Sequence, residues 1–99
     1  MAVLLEVLSA AAEEAREAAR WYAARNLVAA AGFELEVQRA FSEIAAGPER
    51  WPVHGEGTRR FLLHRFPYEI VYQLRANGVL VIAIAHCKRR PGYWRERAG

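Results

Sequence analysis

The sequence predicts an α+β domain in which one β-sheet packs on two helices. Three observations support this. A seven-residue apolar run, Val79–Ala85, is mostly β-branched, which is typical of a strand covered on both faces. Two alanine-rich stretches between about residues 10 and 46 show helical periodicity. Apolar and polar residues alternate from 68 to 75 and precede a turn signal. The predicted order is a strand, a helical hairpin and a three-stranded antiparallel meander.

The first strand and the first helix come from residues 2–25. Residues 2–8 are apolar except for Glu6 and predict a strand. We expect Ser9 to cap a helix that runs from about Ala10 to Arg25. Its exposed side should carry the ion pairs Glu13–Arg16 and Glu17–Arg20, and its buried side should consist of Ala11, Ala15, Ala18, Ala19 and Tyr22.

A second helix is predicted from about Leu27 or Val28 to Ala46, after a turn at Asn26. Gly32 costs this helix about 1 kcal/mol relative to alanine, which allows a break there. Gly47 and Pro48 end it. Its buried stripe should consist of Phe33, Val37, Ala40, Phe41 and Ile44. Because the connection is short, the two helices should form an antiparallel hairpin.

The loop from 48 to 58 should cover one end of the core with Trp51 and Pro52. A strand is then predicted over Arg59–Phe66. Since side chains alternate along a strand, Phe61 and Leu63 should share one face. The opposite face should carry Leu62, His64 and Phe66.

The last two strands should form a hairpin. Tyr68–Arg75 alternates in polarity, and Asn77-Gly78 is a favoured hairpin turn. In the apolar strand that follows, alternation places Val79, Val81, Ala83 and Ala85 on one face. It places Leu80, Ile82, Ile84 and His86 on the other.

The 99 residues suit one domain, with the helical hairpin at about 10–46 and a basic sheet and tail at 59–99. The net charge of +3 conceals an asymmetry. Residues 1–58 hold five Arg and nine Glu, a balance of −4, and residues 59–99 hold nine Lys or Arg and two Glu, a balance of +7. The basic half points to an anionic partner, nucleic acid or an acidic protein surface, unless the charge is only solubilising.

Composition also argues against a secreted, membrane-spanning or metal-binding protein. A single cysteine cannot form an internal disulfide, no apolar run reaches the ~20 residues that cross a bilayer, and the start lacks a basic signal region. We therefore expect a soluble cytoplasmic protein with no membrane partner. The soft metal ligands His54, His64, His86 and Cys87 match no zinc spacing, so we expect no metal and no cofactor. Cys87 is expected to be a small packed residue.

The remaining candidates are basic and aromatic residues near strand ends. Guanidinium groups there would clamp a phosphodiester while a Tyr or His moves a proton, or the set would be a docking surface without chemistry. A third interpretation is a strand edge protected by cations. The candidate target-binding residues are Arg59, Arg60, His64, Arg65, Lys88, Arg89, Arg90, Tyr93 and Trp94.

Five segments together resemble the RelE/ParE superfamily, the toxins of bacterial type II toxin–antitoxin modules. These segments are Ala19–Tyr22, Pro48–Pro52, Arg59–Leu63, Arg65–Tyr68 and Ala85–Trp94. The resemblance spans nearly the whole chain. It implies a compact toxin that arrests growth and is held inactive by a small antitoxin wrapped around it.

The branches of this superfamily differ in target. RelE-like members cut mRNA in the ribosomal A site, whereas ParE-like members poison DNA gyrase and cleave nothing. RelE-like members carry a catalytic arginine where this chain has Glu69, and a second one falls near Cys87 or, with a shift, on Lys88 or Arg89. Their catalytic tyrosine has a counterpart in Tyr93. A carboxylate at a phosphate clamp repels substrate, so the resemblance favours the ParE-like branch.

Three hypotheses follow, the first two from the resemblance and the third from the basic charge alone. The first is a gyrase inhibitor that acts by binding. The second is a ribosome-dependent mRNA endonuclease, in which Arg89 or Arg90 stabilises the scissile phosphate and Tyr93 or His86 moves protons. The third is a nontoxic nucleic-acid-binding regulatory domain. A cognate antitoxin, ParD-like or RelB-like, should form a hetero-oligomer with the toxin through Trp21, Tyr22, Lys88, Arg89 and Arg90.

Overall fold

A computed structural model describes residues 3–98 of the chain. The strands are β1 (Leu5–Val7), β2 (Arg59–Leu62), β3 (Tyr68–Arg75) and β4 (Gly78–His86), and the helices are α1 (Ser9–Ala23), α2 (Leu27–Ala46) and α3 (Arg95–Ala98). Short 3₁₀ turns lie at Pro48–Arg50 and Gly55–Gly57. The sheet has the order β1-β4-β3-β2, with β1 parallel to β4 and the other neighbours antiparallel. Buried residues of α1 and α2 share a core with one sheet face, which confirms the α+β prediction.

β4 is one of the two interior strands of the sheet, but its regular alternation breaks at Ile82. Val71 of β3 lies opposite Ala83, while the next residue, Tyr72, lies opposite Val81. Ile82 is therefore an extra residue in β4, a β-bulge. Because side chains alternate with a period of two, one extra residue exchanges the two faces for everything that follows.

The bulge corrects the predicted faces of β4. Val79, Val81 and Ile84 share the core with the helices, whereas Ile82 and Ala83 pack on the opposite, outer face. The alternation prediction is right as far as Ile82. It is wrong for Ala83, which was expected beside Val81, and for Ile84, which was expected beside Ile82.

The outer face of the sheet is covered by the end of the chain. Trp94 and Ala98 pack there on Val71, Ile82 and Ala83. Trp94 is only 2% exposed. This burial corrects the expectation of an exposed Trp94 at a binding surface, because the chain folds back over the sheet after β4.

Both helices agree with the predicted bounds to within two residues, but their caps differ. α1 begins at Ser9 itself, preceded by Leu8, and no side chain among residues 3–98 caps it, so the Ser9 cap is wrong. Asn26 does more than mark a turn, because its Oδ1 accepts hydrogen bonds from the backbone N–H groups of Val28 (2.8 Å) and Ala29 (3.2 Å). α2 then runs unbroken through Gly32.

Several local predictions need adjustment. β1 is shorter than expected, and Ala2 lies outside the described residues. Glu13 accepts hydrogen bonds from both Arg16 (3.0 Å) and Arg20 (2.8 Å). The predicted Glu13–Arg16 pair is therefore present, but the predicted pairing of Arg20 with Glu17 is wrong. Cys87 is exposed, because β4 ends one residue before it.

β2 also ends earlier than expected, at Leu62. The chain then turns back, and Phe66 packs its ring 5.1 Å from Tyr22 and 5.4 Å from Phe33, on the core side. Its predicted place on the face of Leu62 is therefore wrong. The ring centroid of Trp51 lies 4.9 Å from that of Phe61, so Trp51 packs against the core, which supports its predicted place over one end of the core. Among residues 3–98, no helix is long and apolar enough to span a membrane.

Candidate functional site

The three cations Lys88, Arg89 and Arg90 follow β4 and are exposed, as the sequence predicts. Their turn is anchored at its start, because the backbone N–H of Cys87 donates to the carbonyl of Pro67 at 2.8 Å. The turn at 87–90 therefore lies beside the connection between β2 and β3, at one end of the sheet. Next to it, Nδ1 of His86 accepts a hydrogen bond from the backbone N–H of Lys88 at 3.0 Å.

Near this turn, a side chain takes the place of a neighbouring strand at the edge of β4. β1 pairs with β4 only as far as Val7 opposite Val81. Beyond that point the chain leaves the sheet to form α1, and the next part of the β4 edge loses its strand partner. The carboxylate of Glu14, on α1, fills the gap by accepting the backbone N–H of Ile84 at 3.0 Å. An unpaired buried amide would be costly, so this contact stabilises the edge.

The same carboxylate holds the C-terminal segment. It accepts the hydroxyl of Tyr93 at 2.6 Å and the guanidinium of Arg97 at 3.1 Å, and Arg89 lies 3.7 Å away. Arg89 also stacks over the ring of Tyr93, with 3.7 Å between its guanidinium carbon and the ring centroid. Burial, and then the bond to Glu14, raise the pKa of Tyr93.

A groove of about 600 Å³ opens between α1 and the adjoining ends of β3 and β4. We call it the α1 groove. Its lining includes Glu14, Trp21, Tyr22, Tyr68, His86 and Arg89. Trp21 is 53% exposed, and its ring lies edge-on to Tyr22 at 5.1 Å. The groove thus brings together three of the residues predicted to contact an antitoxin, two aromatic and one cationic.

A second, smaller pocket of about 120 Å³ lies on the outer face. We call it the outer pocket. Its lining includes Arg60, Glu69, Arg89, Arg90, Tyr93 and Trp94. The Nε atom of Arg60 is buried there without a hydrogen-bond partner among residues 3–98. The guanidinium of Arg60 lies 5.8 Å from the ring of Trp94.

Three predicted target-binding residues, Arg59, His64 and Arg65, make structural contacts away from the cationic end of the sheet, His64 through its backbone alone. Arg59 donates to the carbonyls of Trp51 (2.6 Å) and Glu49 (3.3 Å), which ties β2 to the preceding loop. The backbone N–H groups of His64 and Arg65 both donate to Glu36, a buried residue of α2.

The guanidinium of Arg65 donates to Glu36 as well, at 3.2 Å. Burial opposes ionisation of Glu36, but these donors outweigh it and hold its pKa below the usual value. The predicted target-binding set is therefore divided among the sheet end, the loop before β2 and the α2 side.

Glu14 and Glu36 are not among the site residues predicted from the sequence, although the sequence carries a signal for both. Glu14 falls three residues after Ala11 and four before Ala18, inside the apolar line of its helix. Glu36 has the same relation to Phe33 and Ala40. A carboxylate on a buried helix face needs partners brought from elsewhere, so its position alone indicates a tertiary contact.

The family of the chain follows from its sequence. Residues 5–91 match the sequence model of a family described as the ParE toxin of the type II toxin–antitoxin system parDE. The chain belongs to the ParE toxin family. It is therefore a toxin of a type II toxin–antitoxin system, and the RelE/ParE resemblance is confirmed. No protein of curated function gives a match to the sequence.

Two solved structures share the fold of this ParE family member. One is described as the chromosomal ParDE system from P. aeruginosa, with a TM-score of 0.76, 14% identity, and coverage of 85% of this chain and 95% of the other. The second is the E. coli toxin RelE, a double arginine mutant in the free state, with a TM-score of 0.68, 18% identity, and coverage of 99% and 95%. At such identities the likeness concerns the fold.

Proposed function

We propose that this ParE-family toxin inhibits DNA gyrase by binding it and does not cleave RNA. The observation that carries the proposal is Glu69. The RelE-like branch has a catalytic arginine at the matching place, and here the outer pocket presents a carboxylate instead. A carboxylate beside a scissile phosphate raises the energy of the charged transition state instead of lowering it.

The state of Tyr93 supports the same conclusion. A general base must have a free acceptor within reach of the proton that it removes. The hydroxyl proton of Tyr93 is already donated to Glu14, and burial and Glu14 both disfavour the phenolate. Tyr93 is therefore poorly suited to accept a proton, and its ring serves as a support for Arg89.

The proposed target-contacting surface is the exposed cationic turn Lys88–Arg90. Charges at the rim of an interface act mainly by steering the encounter of the partners. Trp94 is buried against the outer face of the sheet, so we do not include it among the residues that contact the target.

We further propose that the cognate antitoxin, ParD-like in kind, occupies the α1 groove in a hetero-oligomer. Trp21 and Tyr22 offer apolar contact area, and Arg89 offers a charge, so an antitoxin segment with apolar and acidic side chains fits. Because Arg89 lies in both the groove and the cationic turn, such a segment covers part of the target-contacting surface. Gyrase as target places the toxin in the cytoplasm.

A supercoiling assay with purified toxin tests the proposal. Wild-type toxin should inhibit gyrase, and the triple variant Lys88→Ala, Arg89→Ala, Arg90→Ala should inhibit it much less. The matched control removes three exposed arginines away from this surface, Arg20, Arg39 and Arg75, and should inhibit like the wild type. Unchanged supercoiling at saturating wild-type toxin would refute the gyrase proposal.

One observation favours ribosome-dependent mRNA cleavage as a second candidate. The outer pocket collects Arg60, Arg89, Arg90 and Tyr93 around one small space, and cationic groups there suit a phosphate. Primer extension on translated mRNA distinguishes the two candidates. If cuts at codon spacing appear only when toxin is present, mRNA cleavage would replace gyrase inhibition as the proposed function.

A further inference from the structure

We infer that Glu14 is a positioning residue of the toxin, whose carboxylate holds Tyr93 and Arg89 in the arrangement that contacts the target. This inference rests on the proposed role of the cationic turn. Glu14 lies on α1, 75 positions before Arg89 in the sequence. It acts through the residues it holds.

The contacts of Glu14 fix the C-terminal segment at several points. One oxygen accepts the N–H of Ile84 and the guanidinium of Arg97, and the other accepts the hydroxyl of Tyr93. The Glu14 side chain is only 10% exposed. A carboxylate in such surroundings is stabilised by its donors, and the donors in turn are held in place by it.

Tyr93 connects Glu14 to Arg89. Its hydroxyl is held by Glu14, which keeps the ring at this position beside the turn, and Arg89 stacks on that ring at 3.7 Å. The Arg89 side chain is still about half exposed, so it remains accessible to a partner. A long side chain that is ordered before binding loses less conformational entropy in the complex, which increases affinity.

Glu17 provides a matched comparison. It lies one helical turn after Glu14, lines the same groove and is exposed. Among residues 3–98, it takes part in none of the hydrogen bonds or ion pairs that hold the C-terminal segment. Replacing either glutamate with glutamine removes one negative charge from the groove, but only Glu14→Gln weakens the support of Tyr93 and Arg89.

The test compares wild type, Glu14→Gln and Glu17→Gln by the toxin concentration that half-inhibits gyrase supercoiling. Glu14→Gln should raise this concentration about tenfold, the equivalent of ~1.4 kcal/mol. Glu17→Gln should leave it within about twofold of the wild type. A double variant that adds Arg89→Ala to Glu14→Gln should inhibit no worse than Arg89→Ala alone, because Glu14 acts through Arg89.

A spectroscopic measurement separates positioning from general destabilisation. In folded Glu14→Gln, Tyr93 should ionise at lower pH than in the wild type, measured by tyrosinate absorbance and assigned with Tyr93→Phe. A folded Glu14→Gln that inhibits like the wild type, or a double variant with additive losses, overturns the inference. If Glu14→Gln does not fold, the Tyr93→Phe variant tests the inference instead. The inference requires that Tyr93→Phe weaken gyrase inhibition at least about threefold. Unchanged inhibition by Tyr93→Phe overturns it.

Failure of the gyrase proposal is distinguishable from failure of the positioning role of Glu14. If gyrase is not the target, wild-type toxin itself leaves supercoiling unchanged. The same variants are in that case compared by growth arrest on expression. Glu14→Gln must relieve arrest while Glu17→Gln retains it. Equal arrest by both folded variants overturns the positioning role, whatever the target is.

Discussion

The hydroxyl of Tyr93 donates a 2.6 Å hydrogen bond to the carboxylate of Glu14, a residue 79 positions earlier in the chain. This contact joins the first helix to the segment that follows the last strand. Between them lies the part of the β4 edge that β1 leaves unpaired, and Glu14 also binds the backbone there. The cationic turn is therefore supported by a helix that is distant in sequence.

Replacement of Trp94 should affect mainly stability, whereas replacement of Trp21 should affect mainly antitoxin binding. Trp94→Ala should lower the free energy of unfolding by about 3–5 kcal/mol, because the ring is buried on Val71, Ile82 and Ala83. Trp21→Ala should change stability far less, since the ring is half exposed, but should weaken antitoxin binding. Urea denaturation and antitoxin titration measure the two effects. A Trp94→Ala variant as stable as the wild type would contradict the buried position.

Asn26 and Ser9, at the starts of the two long helices, provide a second comparison. Asn26→Ala should cost about 1 kcal/mol, because its Oδ1 accepts two backbone N–H groups at the start of α2. Ser9→Ala should cost almost nothing, because Ser9 is the first residue of α1 and caps no N–H. The measurement is the midpoint of chemical denaturation for each variant. Equal losses for both variants would show that the caps are assigned to the wrong residues.

The order of elements was predictable from sequence because it depends on local periodicity and turn chemistry. The long apolar run of β4, the Asn77-Gly78 turn and the alanine-rich helices each carry a strong local signal. The bulge at Ile82 has no such signal. It is set by pairing with β3, and a single extra residue was enough to reverse the predicted faces of Ala83 and Ile84.

The candidate site was predicted only in part, for a related physical reason. The exposed cations of the turn at 88–90 follow directly from their place after a strand. Whether Trp94 faces solvent or the sheet depends on how the chain folds back, which local sequence does not encode. The supporting role of Glu14 required knowing that β1 ends early and leaves the β4 edge open.

Glu36 should make stability depend on pH in the acid range. Its pKa in the folded protein lies below the unfolded value of 4.5, because backbone N–H groups and Arg65 stabilise the carboxylate. A lowered folded pKa contributes stability that is complete above the unfolded pKa and is lost as pH falls through the folded pKa. Wild type should therefore exceed Glu36→Gln in stability at neutral pH, and the difference should shrink below pH 4.5.

Denaturation curves at several pH values measure this difference. Glu34→Gln is the control, because Glu34 lies on the exposed side of the same helix. Its difference from the wild type should stay small throughout the range. A constant gap between wild type and Glu36→Gln down to pH 3 would show that the carboxylate of Glu36 is not stabilised by its donors.

The cationic turn should also govern how fast the antitoxin binds. Changing Lys88, Arg89 and Arg90 together to alanine removes three exposed positive charges at the end of the sheet. Since the proposed antitoxin segment is acidic, the association rate at low salt should fall by about tenfold or more, and the difference should diminish as salt screens the charges. Stopped-flow binding over a salt series measures this, with the Arg20, Arg39 and Arg75 triple variant as the charge-matched control. Equal rates for the two triple variants at low salt would mean that net charge alone, and not the placement of these three cations, attracts the antitoxin.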